Sequence, residues 1–92
     1  MAATIKIVST GPSGTIQYTE KGGACEFYWE FGGGDTVATV WVPAEDKWDA
    51  KYPWASGRRK EIIEAVAAET RKKQAPKSSI KWEVDRFHLV NS

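Results

Sequence analysis

The sequence predicts an α+β fold. An antiparallel four-stranded meander is followed by a short helical crossover, one long helix packed on one sheet face, and a C-terminal strand rejoining the sheet. Three observations carry this. Four segments in the first half alternate polar and apolar residues with period two. One segment in the second half repeats apolar residues at helical spacing. Short polar or glycine-rich breaks separate the alternating segments, which is how sequential strands become hairpins.

The meander centres on Cys25 to Val42, CEFYWEF, GGGD, TVATVWV. Aromatic and β-branched residues in both arms suit a pleated, half-buried surface. Gly32, Gly33, Gly34 and Asp35 tolerate positive φ and allow reversal. With Phe31 opposite Thr36, Trp29 faces Ala38, Phe27 faces Val40 and Cys25 faces Val42. One face is then wholly apolar. The other carries Glu26, Tyr28 and Glu30 across from Trp41, Thr39 and Val37, with Tyr28 and Trp41 as diagonal neighbours. A one-residue slip would push glutamates into the core, so the facing is well specified.

Ahead of this hairpin, Thr4 to Thr10 and Thr15 to Glu20 alternate around the turn signal Gly11-Pro12-Ser13-Gly14. Lys21-Gly22-Gly23 links the two hairpins. Pro43 stops the fourth strand, and Glu45 and Asp46 suit the positive end of a short helix holding Trp48. Trp48, Tyr52 and Trp54 are expected to plug one end of the core. Ser56 is the expected N-cap of a helix over about Gly57 to Gln74. Its stripe is Ile62, Ile63, Val66, Ala67 and Thr70, with Glu69 placed to pair with Lys73. Pro76 ends it. Ile80 to Val90 reads as strand with a break in phase. A bulge near Asp85-Arg86 restores one buried face, and a tight turn between two short strands is the alternative.

Length and composition bound the function. Ninety-two residues suit one domain. A single cysteine excludes an internal disulfide and argues against a thiolate zinc site. No apolar run reaches the roughly 18 residues a membrane helix needs. The opening MAATIKIVST lacks the pattern of a secretory signal, so a cytoplasmic location is expected. The net charge of +1 hides an asymmetry. Residues 1–57 hold four Lys and seven acids, net −3, and residues 58–92 hold nine Lys or Arg and five acids, net +4.

No catalytic constellation stands out. His88 is the only histidine and reads as a strand residue on the polar face. A catalytic histidine needs a nucleophile and an orienting partner. Cys25 reads as a buried thiol. The run Gly32 to Asp35 lacks the Lys-Ser/Thr and following helix of a phosphate loop. Glu26 and Glu30 lie on one face about 13 Å apart along a strand, too far to share one glycosidic bond. No cofactor or metal is expected. The segment Tyr52 to Arg59, YPWASGRR, resembles small bacterial proteins, but it defines no named family and transfers no function.

The expected function is non-catalytic: a small module that binds a protein or ligand, with self-association through the sheet as one mode. The aromatics exceed what one helix can cover, and Tyr28 and Trp41 sit on the second face, where either the crossover segment covers them or they form an exposed patch that would mark a partner site. The alternative is nucleic-acid or anion binding at the helix start, where Arg58, Arg59 and Lys60 oppose the dipole beside Trp54. Arg59 also falls at the start of the apolar stripe, where a carboxylate from the preceding segment is its expected partner.

Overall fold

The computed structural model describes residues 3–91. Six strands form one antiparallel sheet: β1 (Thr4–Ser9), β2 (Ser13–Glu20), β3 (Gly23–Phe31), β4 (Thr36–Trp41), β5 (Ser78–Glu83) and β6 (Arg86–Asn91). Their order across the sheet is β1-β2-β3-β4-β6-β5. Between β4 and β5 come a short helix, α1 (Glu45–Lys51), one 3-10 turn (Pro53–Ala55) and the long helix α2 (Arg59–Gln74). The α+β class, the meander, the helical crossover and the return of the C-terminal segment to the sheet are as the sequence indicates.

Helix α2 lies on the inner face and reaches β1 and β2 on one side and β5 on the other. Its buried residues are Ile62, Ile63, Val66, Ala67 and Thr70, the stripe read from the spacing. Ile62, Ile63, Val66 and Ala67 share one cluster with Ile16, Tyr18, Phe27, Trp29, Val40, Phe87 and Leu89 from the sheet. Thr70 is buried without cost because its hydroxyl donates to the Val66 carbonyl at 2.7 Å. Glu69 and Lys73 pair as expected, at 3.6 Å.

The aromatics of the crossover close one end of this core. Trp48 is 1% exposed; its ring stacks on Phe27 at 6.3 Å, and its indole N–H donates to the Ala55 carbonyl at 2.9 Å. Tyr52 meets Trp48 at 4.9 Å and Phe27 edge-on at 6.2 Å. Trp54 instead lies over Gly23, where an added Cβ would come within 2.6 Å of its ring. Glycine at position 23 is therefore a space requirement of the indole.

Four local expectations change. The β3–β4 register pairs Phe31 with Ala38 and Trp29 with Val40, two residues from the expected pairing. A shift of two preserves every facing, so Cys25, Phe27 and Trp29 are buried as expected, while Phe31 at the strand end is 48% exposed. The loop is tighter because Gly32 joins the ladder, donating to the Val37 carbonyl at 2.9 Å, and only Gly34 takes positive φ. Helix α2 starts at Arg59, and its N-cap is Arg58 with no side-chain cap bond. Ser56 is displaced from that role because Gly57 adopts φ +78 and turns the chain once more, its N–H bonding to Asp49 at 3.0 Å.

The C-terminal segment is two strands, not one bulged strand. Val84 and Asp85 form the turn, and Glu83 pairs with Arg86 across it. The break in phase is this two-residue turn: Trp82 and Phe87 change parity in sequence yet face each other on the inner side, 5.3 Å apart.

If the α2 stripe is the roof of this core, Ile62→Ala should destabilise by about 2–5 kcal/mol in denaturant unfolding. Ala68→Ser, on the exposed side of the same helix, should stay within about 0.5 kcal/mol.

Candidate functional site

Strand β4 leaves the sheet before β3 ends. Continuing the β3–β4 register would bring Pro43 opposite Glu26. Proline has no N–H to give the Glu26 carbonyl, and its ring disfavours a central ladder position. The chain turns away there, and Val42 N–H bonds to the Asp85 carbonyl at 2.9 Å instead. The β3 edge left behind is satisfied by side chains. The Tyr52 hydroxyl accepts from the Glu26 N–H at 3.3 Å and donates to the Glu26 carbonyl at 3.1 Å. The Trp54 indole N–H donates to the Ala24 carbonyl at 3.3 Å. Burial raises the pKa of the Tyr52 hydroxyl, keeping it in its donating form.

Helix α1 stands beside this notch, and a trough on the outer sheet face results. One section encloses about 450 Å³ against Thr15, Glu26, Tyr28, Trp41, Lys47 and Lys51, with Phe27, Val42 and Pro43 beneath. A second section of about 490 Å³ shares Glu26 and Lys51 and continues to Gln17, Thr19 and Tyr52. Tyr28 and Trp41 are direct cross-strand partners, closer than the expected diagonal, with ring centroids 5.6 Å apart and planes at 40°. Tyr28 is 46% exposed although it lies on a central strand. Its hydroxyl donates to Glu30 at 2.7 Å. Trp41 carries the Arg86 guanidinium 5.7 Å from its ring, and Arg86 in turn holds Asp85 at 2.9 Å, lowering that carboxyl's pKa.

The basic helix start is arranged differently. Arg58 binds both Glu20 oxygens, at 3.1 and 2.6 Å, and both Glu61 oxygens, at 3.3 and 2.7 Å. Its guanidinium also lies 5.9 Å from the Trp54 ring. Arg59 donates to the carbonyls of Pro43 at 2.8 Å and Val84 at 3.0 Å. No carboxylate from the preceding segment meets it; the guanidinium instead ties the exit of β4 to the β5–β6 turn. Lys60 pairs with Glu64 at 3.0 Å. Of the five residues singled out from the sequence, the structure brings Tyr28 and Trp41 together on one face and Trp54 and Arg58 together elsewhere. Arg59 belongs to neither pair.

His88 has partners that the sequence did not reveal. Its Nδ1 shares a hydrogen bond with Thr39 Oγ1 at 2.7 Å, and its Nε2 bonds to Glu83. The composition is that of a nucleophile, base and orienting acid. Thr39 is only 9% exposed, however, which leaves its hydroxyl little room to meet a substrate carbonyl. Cys25 lies on the opposite, inner face, and burial pushes its thiol up to about 11. No cluster of potential metal ligands occurs among the described residues.

Comparisons with known protein families, with curated proteins and with solved structures return no match, so the likeness read from Tyr52 to Arg59 gains no support.

Two predictions follow from these contacts. Tyr52→Phe should cost about 1–3 kcal/mol, because it orphans a strand N–H and a carbonyl, and amide exchange at Glu26 should accelerate. Glu20 and Glu61 are both held below their ordinary value of 4.5, first by hydrogen bonds from Arg58. A depressed folded pKa contributes stability above the ordinary value and loses it as pH falls through the folded one. Glu20→Gln should therefore lower Tm at neutral pH, with the difference from wild type closing as pH falls below the ordinary carboxylate range.

Proposed function

We propose that this chain is a small non-catalytic binding module whose binding surface is the outer sheet face around Tyr28 and Trp41. One observation carries the reading. A pair of large aromatic rings sits on adjacent central strands, with Tyr28 46% exposed, beside a trough of about 450 Å³. Central strand positions are the most rigid part of a sheet, so rings there are held in place before any partner arrives. Aromatic side chains with a polar tip are the residues that binding surfaces favour.

The helix start favours a structural role over an anion site. Both of its guanidinium groups are engaged inside the molecule, Arg58 by two carboxylates and Arg59 by two carbonyls. A nucleic acid would have to displace partners already held at short distance. Self-association through a sheet edge is the less favoured mode, because the free edges β1 and β5 are only six residues long and each carries lysine. A cytoplasmic setting accords with a single buried, reduced cysteine. No helix among the described residues is long and apolar enough to cross a membrane.

The test is amide-shift mapping of the labelled chain against mixed peptides, nucleotides, saccharides and acyl compounds, with light scattering for self-association. Shifts should gather at Thr15, Tyr28 and Trp41 and weaken in Tyr28→Ser. Hits that all mapped to the exposed side of α2, or that survived Tyr28→Ser undiminished, would refute the assignment.

A further inference from the structure

We infer that the ligand of this face is a neutral oligosaccharide, laid against the Tyr28 ring and along the trough; the inference rests on the binding surface proposed above. The chemistry of the trough selects among ligand classes. Its wall is aromatic: the Tyr28 and Trp41 rings lie 5.6 Å apart with their planes at 40°. Arg86 occupies one side of Trp41, while Tyr28 remains 46% exposed. A pyranose ring presents a face of C–H bonds with partial positive charge, which complements the electron-rich face of an aromatic ring. Its rim of hydroxyl groups needs both donors and acceptors.

The floor and rim supply both. Lys47 and Lys51 bring ammonium donors from α1, and Glu26 brings a carboxylate from β3. Gln17 donates to Glu26 at 3.3 Å, and Thr15 and Thr19 add hydroxyls that act either way. Vicinal hydroxyls of one sugar match the two oxygens of a carboxylate. The two sections of the trough share Glu26 and Lys51, so they adjoin and together run from Trp41 to Thr19. That shape suits a chain of sugar units rather than a single one.

Other classes meet an obstacle on the same residues. A nucleotide stacked on Tyr28 would set its phosphates near Glu26 and Glu30, the same-face neighbours on either side of that ring. Glu30 is already fixed there by the Tyr28 hydroxyl. Glu26 in the trough and Glu30 beside it on the strand offset Lys47 and Lys51, which leaves little positive field for a polyanion. An acyl chain or apolar helix would strip water from Glu26, Gln17 and the threonines and give them no partner in return. A polyol replaces that water with hydrogen bonds of the same kind.

The experiment uses the full labelled chain and one set of probes: cellohexaose, maltohexaose, laminarihexaose and mannohexaose as neutral saccharides, heparin hexasaccharide and a single-stranded DNA hexamer as polyanions, and an apolar peptide. The expected result is saturable amide shifts at Thr15, Gln17, Tyr28 and Trp41 with a neutral saccharide, insensitive to added salt. Tyr28→Ala should weaken that binding by about tenfold, the scale of one lost ring contact. Glu26→Gln, which keeps the shape of the floor, should weaken it less while leaving the spectrum of the free protein folded. Binding of only polyanion or peptide at those same amides overturns the saccharide inference and leaves the surface assignment standing. Saccharide shifts elsewhere in the chain overturn it as well. No shift at this face from any probe counts against both.

Discussion

The fold turns on one unmet backbone requirement. Strand β3 is longer than β4, and its Glu26 amide and carbonyl face a position where the chain offers a proline. Each such group costs on the order of 1–3 kcal/mol if buried without a partner. The Tyr52 hydroxyl answers both groups at once, and the Trp54 indole answers the next carbonyl along. This fixes where the crossover must run. Helix α1 is held beside β3, Trp48 is directed under Phe27, and the 3-10 turn at Pro53–Ala55 receives the Trp48 indole. The aromatics of the crossover thus do two jobs: their rings fill the end of the core and their polar tips complete the sheet.

The second tie is electrostatic and sits at the other end of the crossover. Helix α2 begins with a cluster of cations, which its own dipole disfavours. Arg58 is neutralised by a carboxylate from the end of β2 and another one turn along the helix. Tyr18 steadies Glu20 from below through a hydrogen bond, and its own hydroxyl, buried and beside that carboxylate, is pushed up to about 12. Arg59 caps two carbonyls at the mouth of β4 and the β5–β6 turn. The unfavourable placement of positive charge is therefore the cost of a joint between helix, meander and C-terminal hairpin.

Periodicity made the larger part of this legible. The α2 stripe and Cys25, Phe27 and Trp29 of β3 are buried as spacing alone indicates, because one-sided burial leaves a mark on each strand and helix, while Phe31 at the strand end stays half exposed. The β3–β4 register escaped by two residues, since that shift preserves facing and only the loop geometry distinguishes the options. The C-terminal turn stood only as the alternative to a bulge because Val84-Asp85 lacks glycine, asparagine or proline, the usual markers of a reversal. Arg58 was read as a surface group because its partner Glu20 lies 38 positions earlier, a pairing no local pattern encodes. Thr39 was passed over beside His88 for the same reason, since β4 and β6 become neighbours only through the sheet order, and Glu83 because its approach depends on the tight β5–β6 turn. The Tyr28–Trp41 pair was visible because both partners belong to one hairpin.

These ties also explain why the outer face stays open. Among the described residues a single helix is long enough to cover a six-stranded sheet, and the inner face takes all of it. Helix α1 has seven residues and is pinned at the notch by Tyr52, so it flanks the outer face without crossing it. The outer face must then be stable in water by its own means. It manages this by breaking its apolar content into one aromatic pair bordered by Glu26, Glu30, Thr39 and Arg86. Cross-strand aromatic contact contributes only about 0.2–1 kcal/mol, so a valine or threonine pair would serve the sheet nearly as well. Stability alone gives weak reason to hold a half-exposed tyrosine against a tryptophan at the centre of a sheet, beside a trough with charges of both signs. That mismatch between structural return and exposed aromatic surface is the ground on which a binding role for this face rests.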